Sequence, residues 1–129
     1  MIFVDTSVWV AALRSGRGPA ASHLRSLLDS EEVGLAAPVR IEILSGASRR
    51  DRPRLRRVLS ALPTYYPDAR TWRAIDEWVE RAGEAGEHFG FTDLLIGALA
   101  AGQSAFIWSL DDDFARMSRL SLVQYYEPH

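Results

Sequence analysis

The chain opens with three large apolar residues, Ile2-Phe3-Val4, that run straight into a carboxylate, Asp5, and two hydroxyls, Thr6-Ser7. Ile and Val favour strands, and the amphipathic Val8-Trp9-Val10-Ala11-Ala12-Leu13 that follows favours a helix. The pattern is that of a buried strand, an acid at its carboxyl end and a helix start. In open α/β sheets ligands bind outside the carboxyl ends of the strands, so Asp5 is placed for chemistry. As the residue before a helix it can equally serve as an N-cap.

Strand and helix signals then alternate. Ser15-Gly16-Arg17-Gly18-Pro19 breaks the chain, residues 20–28 read as a helix with Leu24, Leu27 and Leu28 on one face, and residues 33–37 as a short strand. Pro38 sits where prolines start helices, followed by Val39, Ile43 and Ala47 at helical spacing. Pro53 opens an arginine-rich helix. Residues 69–85 read as a longer helix with Trp72, Ile75 and Val79 recurring at spacings of three and four, after which Gly83, Gly86 and Gly90 break the chain. Residues 91–101 form a small-residue helix, 105–110 a strand, 112–117 a short helix and 122–125 a last strand. This order predicts an α/β protein, a short parallel sheet covered on both faces with right-handed crossovers, in one domain spanning residues 1–129.

Composition narrows the chemistry. There is no cysteine, which excludes disulfides, thiolate metal sites and cysteine nucleophiles and is compatible with a reducing cytoplasm. His23, His88 and His129 are too scattered for a zinc site. No apolar stretch is long enough to span a bilayer and no basic region precedes the first one, so neither a membrane location nor an export signal is expected. All fifteen basic residues are arginine, which removes mechanisms that need a lysine, including the phosphoacceptor and phosphoryl-transfer domains that also place an aspartate after their first strand. No GxSxG elbow supports a serine hydrolase.

Three further acids are embedded in apolar sequence: Glu42 between Ile41 and Ile43, Asp93 between Phe91 and Leu94-Leu95-Ile96, and Asp111 at the end of Phe106-Ile107-Trp108-Ser109-Leu110. Each has a structural reading of its own, as a cap, a dipole partner or a member of a polar stripe. Four carboxylates sharing one pocket would instead require a cation, and hard oxygen donors select magnesium or manganese. Such a site hydrolyses phosphodiesters by polarising a phosphoryl oxygen and activating water.

The ordered set Phe3-Val4-Asp5-Thr6-Ser7, Val39-Arg40-Ile41-Glu42-Ile43, Thr92-Asp93-Leu94-Leu95-Ile96-Gly97-Ala98 and Ser109-Leu110-Asp111-Asp112-Asp113-Phe114 resembles the four acidic signatures of PIN-domain ribonucleases. Order, spacing and length are similar to the VapC toxins of type II toxin-antitoxin modules over essentially the whole chain. The resemblance implies a three-layer α/β/α sandwich, a Mg2+- or Mn2+-dependent endoribonuclease acting on RNA in the cytoplasm, a cognate VapB-type antitoxin that covers the site, and a homodimer. It makes Asp5 and Asp93 the principal metal ligands and Glu42 and Asp111 the remaining acids, with Thr6 and Ser109 lining the pocket. A catalytically silent PIN-fold binding module is the alternative.

Three consecutive aspartates leave the fourth position open. Strand alternation puts Ile107, Ser109 and Asp111 on one side and so favours Asp111, with Asp112 and Asp113 as helix-start residues. Asp113 is the rival, because one helical turn could aim it back at the pocket. Arg49, Arg50, Arg52, Arg54, Arg56 and Arg57 form the one basic cluster, suited to phosphates or to an antitoxin. Trp72, Trp78, Tyr65 and Tyr66 are candidate interface aromatics.

Overall fold

The computed structural model describes residues 1–128; His129 lies outside the described residues. Its elements in chain order are β1 (Ile2–Val4), α1 (Thr6–Ser15), α2 (Pro19–Asp29), β2 (Val33–Ala36), α3 (Ala37–Gly46), α4 (Arg52–Ser60), β3 (Thr64–Tyr65), α5 (Ala69–Glu84), α6 (Phe91–Gly102), β4 (Phe106–Trp108), α7 (Asp112–Arg119) and β5 (Gln124–Tyr125). The five strands form one sheet in the order β3-β2-β1-β4-β5, and every pairing is parallel.

That order fixes the layers. The chain steps from β1 to β2 to β3 in one direction, jumps back across the sheet to β4, and continues to β5. Right-handed crossovers then put α1 to α4 on one face and α5 to α7 on the other. The packing agrees: α1 touches α2 and α3, and α3 touches α4, while α6 touches α5 and α7. The expected α/β/α sandwich is what the chain forms. Its core is centred on β1, whose Phe3 and Val4 are almost wholly buried, together with Leu35, Ile107 and, from the helices, Val8, Ile96 and Phe114.

Local chemistry places the breaks. α1 ends at Gly16, whose φ of 62° satisfies the helix end in a left-handed conformation that costs glycine little. Pro19 starts α2, Pro38 lies in the first turn of α3 and Pro53 in that of α4. Gly97 lets α6 pack tightly, since a Cβ there would meet Met117 Sδ at 3.2 Å, Trp78 Cζ3 at 3.2 Å and Val123 Cγ1 at 3.3 Å.

Several sequence expectations need correction. The inner face of α5 is Thr71, Ile75, Trp78 and Ala82, whereas Trp72 and Val79 are 45% and 52% exposed. The helix offers two apolar stripes and the core takes the one with Trp78. Gly83 lies inside α5, and the chain turns only at Gly86, where φ is 71°. The two-residue strand β3 directly after Pro63 carries no apolar run, so the sequence pattern does not signal it.

Candidate active site

The sheet changes its winding direction between β1 and β4, and the crevice at a switch point of this kind is where open parallel sheets bind ligands. Asp5 follows β1 and Ser109 follows β4 at that crevice. A hydrogen bond from Asp5 N–H to the Trp108 carbonyl (2.8 Å) extends the ladder and aligns the two strand ends.

Asp5 is 5% exposed and is held by hydroxyls. Its Oδ2 accepts from Ser7 Oγ (2.8 Å), Ser109 Oγ (2.9 Å) and, at 3.4 Å, the Ser7 N–H at the start of α1. Each hydroxyl has one hydrogen, so each oxygen is free to accept a backbone N–H: Ser7 from Leu110 (3.0 Å) and Ser109 from Asp111 (2.9 Å). The clasp is therefore fully paired, and it fixes Asp5 in one rotamer without taking up Oδ1. The sequence signals Ser7 only as a helix opener; its place two residues after Asp5 is the trace of this role.

Asp93, in the first turn of α6, is the electrostatic centre. Burial pushes its carboxyl up to about 7, and the hydrogen bond that its retained proton donates to Asp113, with the negative charges of Asp113, Asp5 and Asp111, adds to the rise. Three of the four acids chosen from the sequence thus converge. Asp113 joins them through a hydrogen bond with Asp93 that requires a proton between the two carboxyls. That bond and the Arg116 guanidinium hold Asp113 below the usual carboxylate range.

Asp111 occupies the N-cap position of α7, yet its carboxylate caps nothing. Asp113 does not spend itself on the helix start either: it turns back to the pocket and accepts from Arg116 Nη2 (2.6 Å). Arg116 also pairs with Glu87 and lies over the Phe89 ring at 4.7 Å. This bracing from α7 to the loop before α6 leaves no signal in the sequence beyond the three-residue step from Asp113 to Arg116.

Glu42 stands apart at the exposed rim. Thr6 Oγ1 donates to its Oε1 at 2.7 Å, and contact between α3 and α6 brings the helices bearing Glu42 and Asp93 together. Among the described residues no three carboxylates come close enough to form a metal cage unaided. Magnesium does not need one, since one or two protein carboxylates with waters and substrate phosphate complete its shell. The donor set is all hard oxygen, and mutual repulsion at Asp93 is what a divalent cation would relieve, so the residues fit such an ion.

Known proteins share the family and the fold. The PIN domain family model matches residues 2–120, and the chain belongs to the PIN-domain family, within its VapC ribonucleases. It is 36% identical to VapC ribonuclease Mb1587 of Mycobacterium bovis, with 96% of each chain covered. It is 32% identical to ribonuclease VapC18 of Mycobacterium tuberculosis, over 94% of this chain and 90% of that one. Among solved structures, VapBC2 from Rickettsia felis bound to a DNA fragment from their promoter superposes over the full length of both chains with a TM-score of 0.80, at 18% identity.

Proposed function

We propose that this protein is a metal-dependent endoribonuclease toxin, acting on RNA in the cytoplasm and neutralised by a VapB-type antitoxin. The observation that carries the reading is the convergence of Asp5, Asp93, Asp111 and Asp113 at the β1/β4 crevice, with carboxylate repulsion concentrated on Asp93. The ribonuclease relatives support the reaction, and the VapBC structure supports the partner.

Asp5 and Asp93 would hold Mg2+ or Mn2+, with Asp111 or Asp113 and Glu42 completing the acid set. When bound, the ion supplies Lewis-acid polarisation of the scissile phosphoryl group and lowers the pKa of attacking water. The protein's own part is positional. Ser7 and Ser109 keep Asp5 aimed, Arg116 keeps Asp113 beside Asp93, and Thr6 fixes one oxygen of Glu42 at the rim and leaves the other open. Hydrolysis of this kind leaves 5′-phosphate and 3′-hydroxyl ends.

The stacked pair Trp72 and Phe91, 6.1 Å apart, together with Val79, makes an exposed apolar patch suited to a second copy of the chain. Trp78 is core and Tyr65 half-buried against Phe3, so neither belongs to that surface. No helix among the described residues is long and apolar enough to cross a membrane.

The test is incubation of purified protein with total RNA in Mg2+ or Mn2+, with the ends of any products mapped. Discrete cleavage with 5′-phosphate ends, abolished by EDTA, is expected. Unchanged cleavage in EDTA would overturn the metal dependence, and an absence of cleavage together with no metal binding would point to the silent binding module.

A further inference from the structure

Helix α4 packs through Leu55 and Leu59 alone and presents arginines around the rest of its surface. Every ion pair among the described residues belongs to Arg116. The exposed Arg49, Arg50, Arg54, Arg56 and Arg57 therefore have no carboxylate within pairing distance. Arg52 has a different job: its Nε and Nη2 donate to the Leu44 and Ala47 carbonyls, both at 3.0 Å, tying α4 to the end of α3. It is a structural arginine and leaves the basic cluster proposed from the sequence.

Between the two helices lies a cleft of about 290 Å³ lined by Arg40, Ile41, Leu44, Ser45, Arg52 and Arg56, with no acid in its wall. Arg40 reaches across it to Ser60 Oγ at 3.4 Å. Glu42 is the next residue after Ile41 on the same helix, turned about 100° from it, so α3 carries the cleft on one face and the Glu42 rim of the acid pocket on another. Arginines crowded without counter-charges repel one another, and a ligand with repeated negative charge relieves that repulsion.

We propose that the α3–α4 cleft and the arginines beside it bind backbone phosphates of the RNA strand whose scissile bond lies in the acid pocket. The assignment rests on the ribonuclease reading above. A polyanion fits better than a protein partner because protein interface cores are apolar and poor in charge, whereas here Ile41 in the cleft and Val58 on the outer side of α4 are isolated apolar contacts amid the arginines. Each phosphate contact to a single strand adds about 0.7 to the salt dependence of binding.

Binding is measured in EDTA, so that no RNA is cut, by fluorescence anisotropy of a short labelled single-stranded RNA across a salt series. Two double variants are used, Arg40→Gln with Arg56→Gln and the wholly exposed pair Arg54→Gln with Arg57→Gln, each checked for unchanged thermal melting. Affinity at low salt is expected to fall roughly tenfold in either, with the slope of log K against log salt shallower by about 1.4. If wild type binds and cuts RNA while both variants bind as tightly with the same slope, the cleft assignment is wrong and the nuclease reading stands. If wild type neither binds nor cuts RNA, both fall. Equal displacement of the RNA by polyglutamate would also overturn the assignment, by making the cleft a general acidic-chain site.

Discussion

Replacing Asp93 with asparagine should stabilise the metal-free protein, increasingly so as the pH rises to neutral. In the unfolded chain this carboxyl loses its proton near its ordinary value of 3.8, whereas in the folded protein it keeps the proton up to about 7. Between those values the native state holds a proton that the unfolded state has released. The contribution of Asp93 to stability is therefore greatest below the lower value and is lost as the pH rises through the upper one. For a buried, isolated group the interval corresponds to about 4 kcal/mol. Asp93 is partly exposed, so solvent screening brings the effect to roughly 1–2 kcal/mol. Asp113, whose carboxyl is held low, titrates below this window and adds a constant across it. Asp93→Asn removes the charge yet keeps a donor for Asp113, and in EDTA at pH 8 its Tm should exceed that of wild type by roughly 3–8 °C. At pH 5, where the unfolded chain has released its proton and the folded protein still holds it, the difference should be less than half as large. Added Mg2+ or Mn2+ at pH 8 should stabilise wild type and not the variant. An equal shift at both pH values, or a lower Tm for the variant at pH 8, would refute the claim that burial and the neighbouring carboxylates oppose the charge on Asp93.

Two further perturbations separate roles within the site. Asp111→Asn is expected to lose cleavage and metal affinity with its melting intact; near-normal activity there, with Asp113→Asn losing both, would move the fourth acid to the helix. Ser109→Ala removes a charge-assisted donor from buried Asp5 and an acceptor from Asp111 N–H, and should cost roughly 1.5–3 kcal/mol in urea unfolding. A cost near zero would mean that the clasp does not hold Asp5.

The fold was legible because its signals are local. Ile2-Phe3-Val4 before Asp5, prolines at the starts of α2, α3 and α4, and Gly16 at the end of α1 fix much of the element order without tertiary knowledge. Failures fell where the choice belongs to packing. On α5 both the Trp72–Val79 stripe and the Trp78 stripe have helical spacing, and only the position of the sheet selects between them. The acids were visible as charges stranded in apolar runs, but their partners were not. Asp5 meets Ser109 across 104 residues, and Arg116 meets Glu87 across 29, contacts that spacing alone does not encode. Asp113 looked like a helix-start residue because three consecutive aspartates are locally equivalent there. What distinguishes them is Arg116 one turn later and Asp93 opposite, which together draw Asp113 into the pocket.

The most direct measurement of the central claim is RNA cleavage by Asp5→Asn, assayed beside wild type in Mg2+ and Mn2+, with circular dichroism and melting recorded on the same samples. The asparagine amide preserves the size of the side chain and its contacts with Ser7 and Ser109 but removes the charge at the switch-point crevice. The account predicts a folded protein that no longer cuts RNA and binds the ion weakly. A folded variant that cuts RNA at the wild-type rate would contradict it.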